Sequence, residues 1–281
     1  MEKTVAHKDK FMTNKLFENL VKNSQEKFIG YGNPNAAVLI IGKECAYDQT
    51  LTAFYDLTFR QNREQWLEMF DHPEKWDVEQ IPSWFSPFPD AEKFSPLFPF
   101  KGEKFTINRK SSKCVQGTST TWYNYQKLID RIYPHLRTSE RSSKDEINFL
   151  QHCFITEFSD ICSRYSSKNP QVELAIKRRT AKFFNHPFFT SFPIIIVACG
   201  HYIREYGHII DLQKLFDVQY RGLQGDWYNL HQGNGKIVIH TKQLSINISN
   251  DLLDAVAKEC RALLSELNLP TGLSREAHVT Y

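Results

Sequence analysis

The chain has 281 residues, is 41% hydrophobic and 24% charged, and carries a formal net charge of +3. These values lie near the globular average and exclude a mostly disordered or collagen-like chain. No run of about 18 apolar residues is present to cross a bilayer, and the opening segment, with Lys3, Lys8, Asp9, Lys10 and Lys15, holds no signal-peptide-like stretch. At roughly 150 residues per domain the length suggests about two domains, although one α/β domain with a long insertion absorbs it equally well.

In chain order, residues 1–27 read as an N-terminal helical segment: Asn14 caps a short helix whose apolar side is Leu16, Phe17, Leu20 and Val21. The turn Gly32-Asn33-Pro34-Asn35 leads into Ala37-Val38-Leu39-Ile40-Ile41 and then Gly42. A continuous β-branched run between a turn and a glycine predicts a strand buried on both faces. Residues 49–70 look helical, and 72–100, with six prolines and many aromatics, predict an irregular insertion packed by its own rings. A helix starts near Gly117–Thr121, carries Trp122, Tyr125, Ile129 and Ile132 on one side, and ends at Pro134. Three further strands are predicted at Phe154–Thr156, Ile194–Ala198 and Ile237–Ile239, with helices near 171–184 and 201–213 between them. A last helix from about Ser249 aligns Leu252, Val256, Cys260, Leu263 and Leu267, and a tail follows from residue 268. Strands alternating with helices predict an α/β fold with a parallel sheet.

The six cysteines form no C-x-x-C pair, which gives no zinc or redox signal. Cys153, Cys199 and Cys260 read as buried thiols in a reduced, cytoplasmic protein. Two basic clusters, Lys101 to Lys113 and Lys177 to Lys182, read as solvated faces or as phosphate contacts.

In an open parallel sheet, ligands bind outside the carboxyl ends of the strands. The segments there are Gly42 to Asp48, Glu157 to Asp160, Cys199 to Tyr202 and His240 to Ser245. They supply carboxylates, aromatics, an amide and two histidines, a set suited to a flat polar ligand and to proton transfer.

The run Gly32 to Gly42 resembles the opening turn and strand of the uracil-DNA glycosylase superfamily, where a G-N-P-x-A turn leads to an apolar strand and a glycine-started catalytic loop. Thr118 to Ile132, Cys153 to Phe158, Ile194 to Gly200 and Ile237 to Ser245 resemble its later elements in the same order. The likeness covers about residues 28–48 and 117–265, within a single domain at 28–267 that carries an insertion at about 49–116. It implies a three-layer α/β/α sandwich around a central four-stranded parallel sheet. It also implies base flipping, excision of a base from DNA as in base excision repair, and a monomer with no cofactor. With no cysteine before Cys45, the iron–sulfur ligand set of some members is missing.

By the same resemblance, Glu44 stands where members carry a catalytic aspartate, with Asp48 as a second carboxylate and Gln243 in place of a histidine that stabilises the departing base. Tyr47, Phe158 and His201 are expected to contact the base, and Lys43, Lys242 and Ser245 the DNA backbone. Glu157 replaces an asparagine that reads uracil. An ionised glutamate only accepts hydrogen bonds, so an amino group such as N4 of cytosine suits it better than uracil. Three readings follow: an active glycosylase for a modified base, a catalytically inactive relative binding nucleic acid or a nucleotide, and a small-molecule enzyme on a doubly wound fold. The sequence lacks G-x-G-x-x-G, a P-loop and G-x-S-x-G, which counts against dinucleotide, triphosphate and serine-hydrolase chemistry.

Overall fold

The computed structural model describes residues 14–44, 59–72, 120–136, 149–163, 169–200, 211–225, 227–245 and 248–269. Seven strands form one sheet: β1 (Tyr31–Gly32), β2 (Val38–Gly42), β3 (Cys153–Glu157), β4 (Ile194–Val197), β5 (Gln219–Gln224), β6 (Tyr228–Gly233) and β7 (Lys236–Thr241). The described helices are α1 (Lys15–Asn23), α2 (Asn62–Asp71), α3 (Thr120–Ile132), α4 (Pro170–Arg178), α5 (Pro187–Thr190), α6 (Leu212–Phe216) and α7 (Asn250–Glu266).

The order across the sheet is β1-β3-β2-β4-β7-β6-β5. The four segments expected from sequence, β3, β2, β4 and β7, pair in parallel, with Gly42 beside Glu157 and Val197 beside His240. The sheet is not four-stranded, however, and it is not purely parallel. β1 adds antiparallel to β3 on one side; on the other, β6 adds antiparallel to β7 and β5 antiparallel to β6. Among the described residues the fold is therefore α/β with a mixed seven-stranded sheet.

β2 shows why this sequence makes a central strand. All five of its residues are buried. Val38 and Ile40 enter a core shared with α3 and α7, whereas Leu39 and Ile41 enter a second core shared with α1, α2, α4, α5 and α6. Helices thus cover both faces, and a strand covered twice needs apolar residues at every position. α1 belongs to this packing through Phe17, Leu20 and Val21, whereas Leu16, expected on the same side, is 41% exposed. Asn14 caps α1 by accepting from the Phe17 amide.

The Gly32-Asn33-Pro34-Asn35 turn anchors the amino end of β2 to the start of β3. The Asn33 side chain donates to the Gln151 carbonyl (3.0 Å) and accepts from the Asn35 amide (2.8 Å). Gly32 has φ +95°, and a Cβ there would lie 2.3 Å from the Cys153 carbonyl oxygen, so only glycine fits. α2, within the stretch expected to be an insertion, is tied into the domain. Buried Asn62 accepts from the Ile29 and Gly30 amides and donates to the Gly30 carbonyl, which also accepts from the Trp66 indole.

Candidate functional site at the carboxyl edge of the sheet

Ladder-like bonding continues past the ends of β2 and β3. The Phe158 amide donates to the Gly42 carbonyl (3.1 Å) and the Ser159 amide to the Lys43 carbonyl (3.2 Å). Lys43 and Glu44 therefore run beside Glu157 to Ser159 at the carboxyl end of the β2–β3 pair. The side chains of Lys43 and Glu44 are only 14% and 4% exposed, and their charged groups approach to 3.8 Å. On the other side of β2, the Ala198 amide donates to the Ile41 carbonyl, bringing Cys199 alongside. Burial pushes the Cys199 thiol far above its ordinary range; Lys43 pulls it back and Glu44 adds to the rise. Cys199 is thus a neutral packing thiol within the electrostatic reach of both groups.

Gly200 begins the next loop with φ +58°, and a Cβ there would sit 3.6 Å from the Gln243 amide nitrogen, so the loops after β4 and β7 meet. His240 secures this junction. Its Nε2 lies 2.9 Å from the Gly200 carbonyl and its Nδ1 3.5 Å from the Asn229 amide nitrogen. Nε2 must donate to a carbonyl, so Nδ1 is the acceptor and the ring is structural. Beyond it, Lys242 is exposed, Gln243 and Ser245 are half-buried, and Leu244 is buried.

The candidates divide accordingly. Lys43, Glu44, Glu157, Lys242, Gln243 and Ser245 lie at the carboxyl ends of parallel strands or in the loops that follow. Phe158, expected to contact a base, is instead fully buried in the second core with its ring 4.9 Å from Phe184. Tyr47, Asp48 and His201 lie outside the described residues, as do the Lys101 to Lys113 cluster and Cys45. The Lys177 to Lys182 cluster is largely engaged within the protein. Lys177 pairs with Glu173, Arg178 with Glu26 and Asp160, and Arg179 is completely buried against Glu26.

Two residues of α3 reach this edge without having been singled out. The Asn124 side chain donates to the Leu244 carbonyl (3.2 Å), fixing the loop after β7. The Tyr125 hydroxyl lies over Gly42, 3.3 Å from where a Cβ would be, with the Glu157 carboxylate beside it at 3.7 Å from the same point. Burial first, and then the negative charge of Glu157, hold this hydroxyl well above the usual phenol range. The available signal was Asn124, a polar residue next to the apolar stripe of α3. Among the described residues no group of histidines, cysteines and carboxylates is arranged to hold a metal ion, and no helix is long and apolar enough to cross a membrane.

No family model matches this chain, and no curated protein or solved structure matches it.

Proposed function

We propose that this protein binds an extruded nucleobase at the carboxyl edge of its sheet, in a fold of the uracil-DNA glycosylase type, and hydrolyses the N-glycosidic bond of a modified base in DNA. The observation carrying this reading is the placement of Glu44: a nearly buried carboxylate two residues after β2, beside Lys43 and alongside the end of β3. As the bond between sugar and base breaks, its electron pair leaves with the base and positive charge grows on the sugar. A fixed carboxylate stabilises that charge and orients the water that adds to the sugar carbon. The Gln243 amide donates to the departing base, without the charge that would strengthen such a bond. Base flipping supplies the access that duplex stacking denies.

A binding protein without catalysis is the second reading; with Arg178 paired to Glu26 and Asp160 and Arg179 buried against Glu26, fewer charges are left for a DNA backbone, which favours a nucleotide or free base over duplex DNA as its ligand. Abasic-site detection on single strands and duplexes carrying a panel of modified bases separates the two. The glycosylase reading expects an abasic product with at least one base, and Glu44→Gln to lower the single-turnover rate about 10²-fold or more while leaving affinity equal or higher. Binding without any abasic product across the panel would establish the second reading. An unchanged rate with weakened binding would make Glu44 a contact residue.

A further inference from the structure

We infer that Lys43 is a nucleophile with a second activity: it condenses with the aldehyde of an abasic sugar and, together with Glu44, breaks the DNA strand on the 3′ side of that sugar. This rests on the reading above that the site acts on DNA and leaves an abasic product.

Lys43 directly follows β2, a strand with parallel partners on both sides. Its carbonyl accepts from the Ser159 amide at 3.2 Å, which fixes the backbone from which the side chain extends. A lysine that only meets phosphate extends into water. The surface lysines Lys22 and Lys177 do so, with side chains 51% and 59% exposed, whereas that of Lys43 is 14% exposed. The buried Cys199 thiol, at the end of β4, feels the charges of both Lys43 and Glu44. The amine is thus held within the carboxyl edge of the sheet, beside the carboxylate assigned to the chemistry.

Its pairing differs from that of the structural ion pairs. Glu26 accepts hydrogen bonds from Arg178 and Arg179 at 3.0 Å. Lys43 Nζ instead stands 3.8 Å from Glu44 Oε1, attracted but beyond hydrogen-bonding distance of it. A lysine, unlike a guanidinium, can give up its proton and act as a Schiff-base nucleophile. Glu44, adjacent and 4% exposed, is placed to accept that proton.

Base excision leaves C1′ of the sugar as an aldehyde when the ring opens. The Lys43 nitrogen bonds to C1′ and the aldehyde oxygen leaves as water, with Glu44 carrying the proton from the amine to that oxygen; a protonated imine remains. The imine withdraws electrons from C2′. Glu44 removes a C2′ proton, the C3′–O bond breaks, and its electron pair departs with the phosphate of the downstream strand. Water then hydrolyses the imine, which releases an unsaturated aldehyde and restores the amine. No oxidant or reductant is consumed.

The test incubates the full chain with single-stranded and duplex oligonucleotides carrying one abasic site, with and without sodium borohydride, which reduces an imine to a stable amine. With borohydride, a covalent protein–DNA adduct is expected, and peptide mapping by mass spectrometry is expected to place it on Lys43. Without borohydride, the strand is expected to break and leave a 5′-phosphate. Lys43→Arg, with its fold checked by circular dichroism, is expected to lose the adduct, and Glu44→Gln to slow strand cleavage about 10²-fold or more. An adduct mapped to another lysine, abasic DNA bound with neither adduct nor cleavage, or excision of a base that leaves the strand intact would each overturn this inference and leave the glycosylase reading standing. No binding of abasic DNA together with no abasic product from the panel of modified bases would overturn both.

Discussion

Arg179 carries its charge into the interior, where desolvation lowers the affinity of its guanidinium for the proton and Glu26 opposes that effect. It remains charged because its neighbours satisfy it: a Glu26 oxygen at 3.0 Å, the Phe28 carbonyl at 2.9 Å, and the Phe183 ring 4.1 Å away. Removing one partner of such a pair leaves an uncompensated buried charge, which typically costs about 3–5 kcal/mol. Glu26→Gln is therefore expected to destabilise the fold by that order in urea unfolding. Arg178→Met should cost far less, about 0–1 kcal/mol, because the Arg178 side chain is 45% exposed. The same residue shows what the sequence concealed. A count of basic residues in a window carries no direction, so Lys177 to Lys182 read as one surface cluster although Arg179 points into the core. The aromatic pair Phe183-Phe184 immediately after it was the available signal. Glu44 and Glu157 were legible because a strand followed by a turn dictates which residues reach the carboxyl edge. Tyr125 was not, because helical periodicity marks a residue as packed without saying what its far end touches.

Among the elements, α2 and α7 each carry one polar side chain that satisfies backbone amides, in addition to their apolar packing. Asn62 satisfies two buried backbone amides at 2.9 and 3.1 Å. Asn62→Ala leaves both without that acceptor and is expected to cost about 1–3 kcal/mol, read as a shift in the urea midpoint with unchanged slope. Ser249 caps α7 by accepting from the Leu252 amide at 3.2 Å; Ser249→Ala should cost about 1 kcal/mol. The α7 start was legible from this serine and the apolar stripe behind it. The β5–β6 pair was not. Its outer strand is mostly exposed and polar, so it lacks the apolar alternation that announces a half-buried strand. A register shift between Tyr220 and Gly222 blurs the period further. The turn at Asn234-Gly235 between β6 and β7 is nonetheless a strong hairpin signal in the sequence.

For the whole molecule, buried neutral groups set the pH limits. Burial raises the Tyr125, Tyr133 and Tyr228 phenols and the Cys153, Cys199 and Cys260 thiols above their ordinary values. In the unfolded chain thiols ionise near about 8.5 and phenols near about 10. The folded state therefore binds more protons at high pH, and stability falls as pH rises. Full stability is expected below about pH 8, with progressive loss above it and these tyrosines ionising only as the fold opens. Thermal unfolding across alkaline pH with parallel ultraviolet titration of phenolate checks this; phenolate appearing for all tyrosines before unfolding would contradict it. At the acid end, burial lowers the His231 pKa. Its contribution is present above about 6.5 and is lost as pH falls through the lower folded value.

The strand order carries a consequence for synthesis. β2 finds its first parallel partner, β3, more than a hundred positions later, and β4 later still. At roughly 5–20 residues per second, the ribosome leaves Val38 to Ile41 without either neighbour for on the order of ten seconds. Throughout that interval a short stretch that is apolar on both faces is open to other nascent chains. Lys43 and Glu44 follow it immediately, and charges flanking a sticky strand act as gatekeepers against such pairing. Glu44, the carboxylate of the proposed chemistry, and its neighbour Lys43 thus have an earlier task, which is to keep the first-made parallel strand soluble until the rest of the sheet is made.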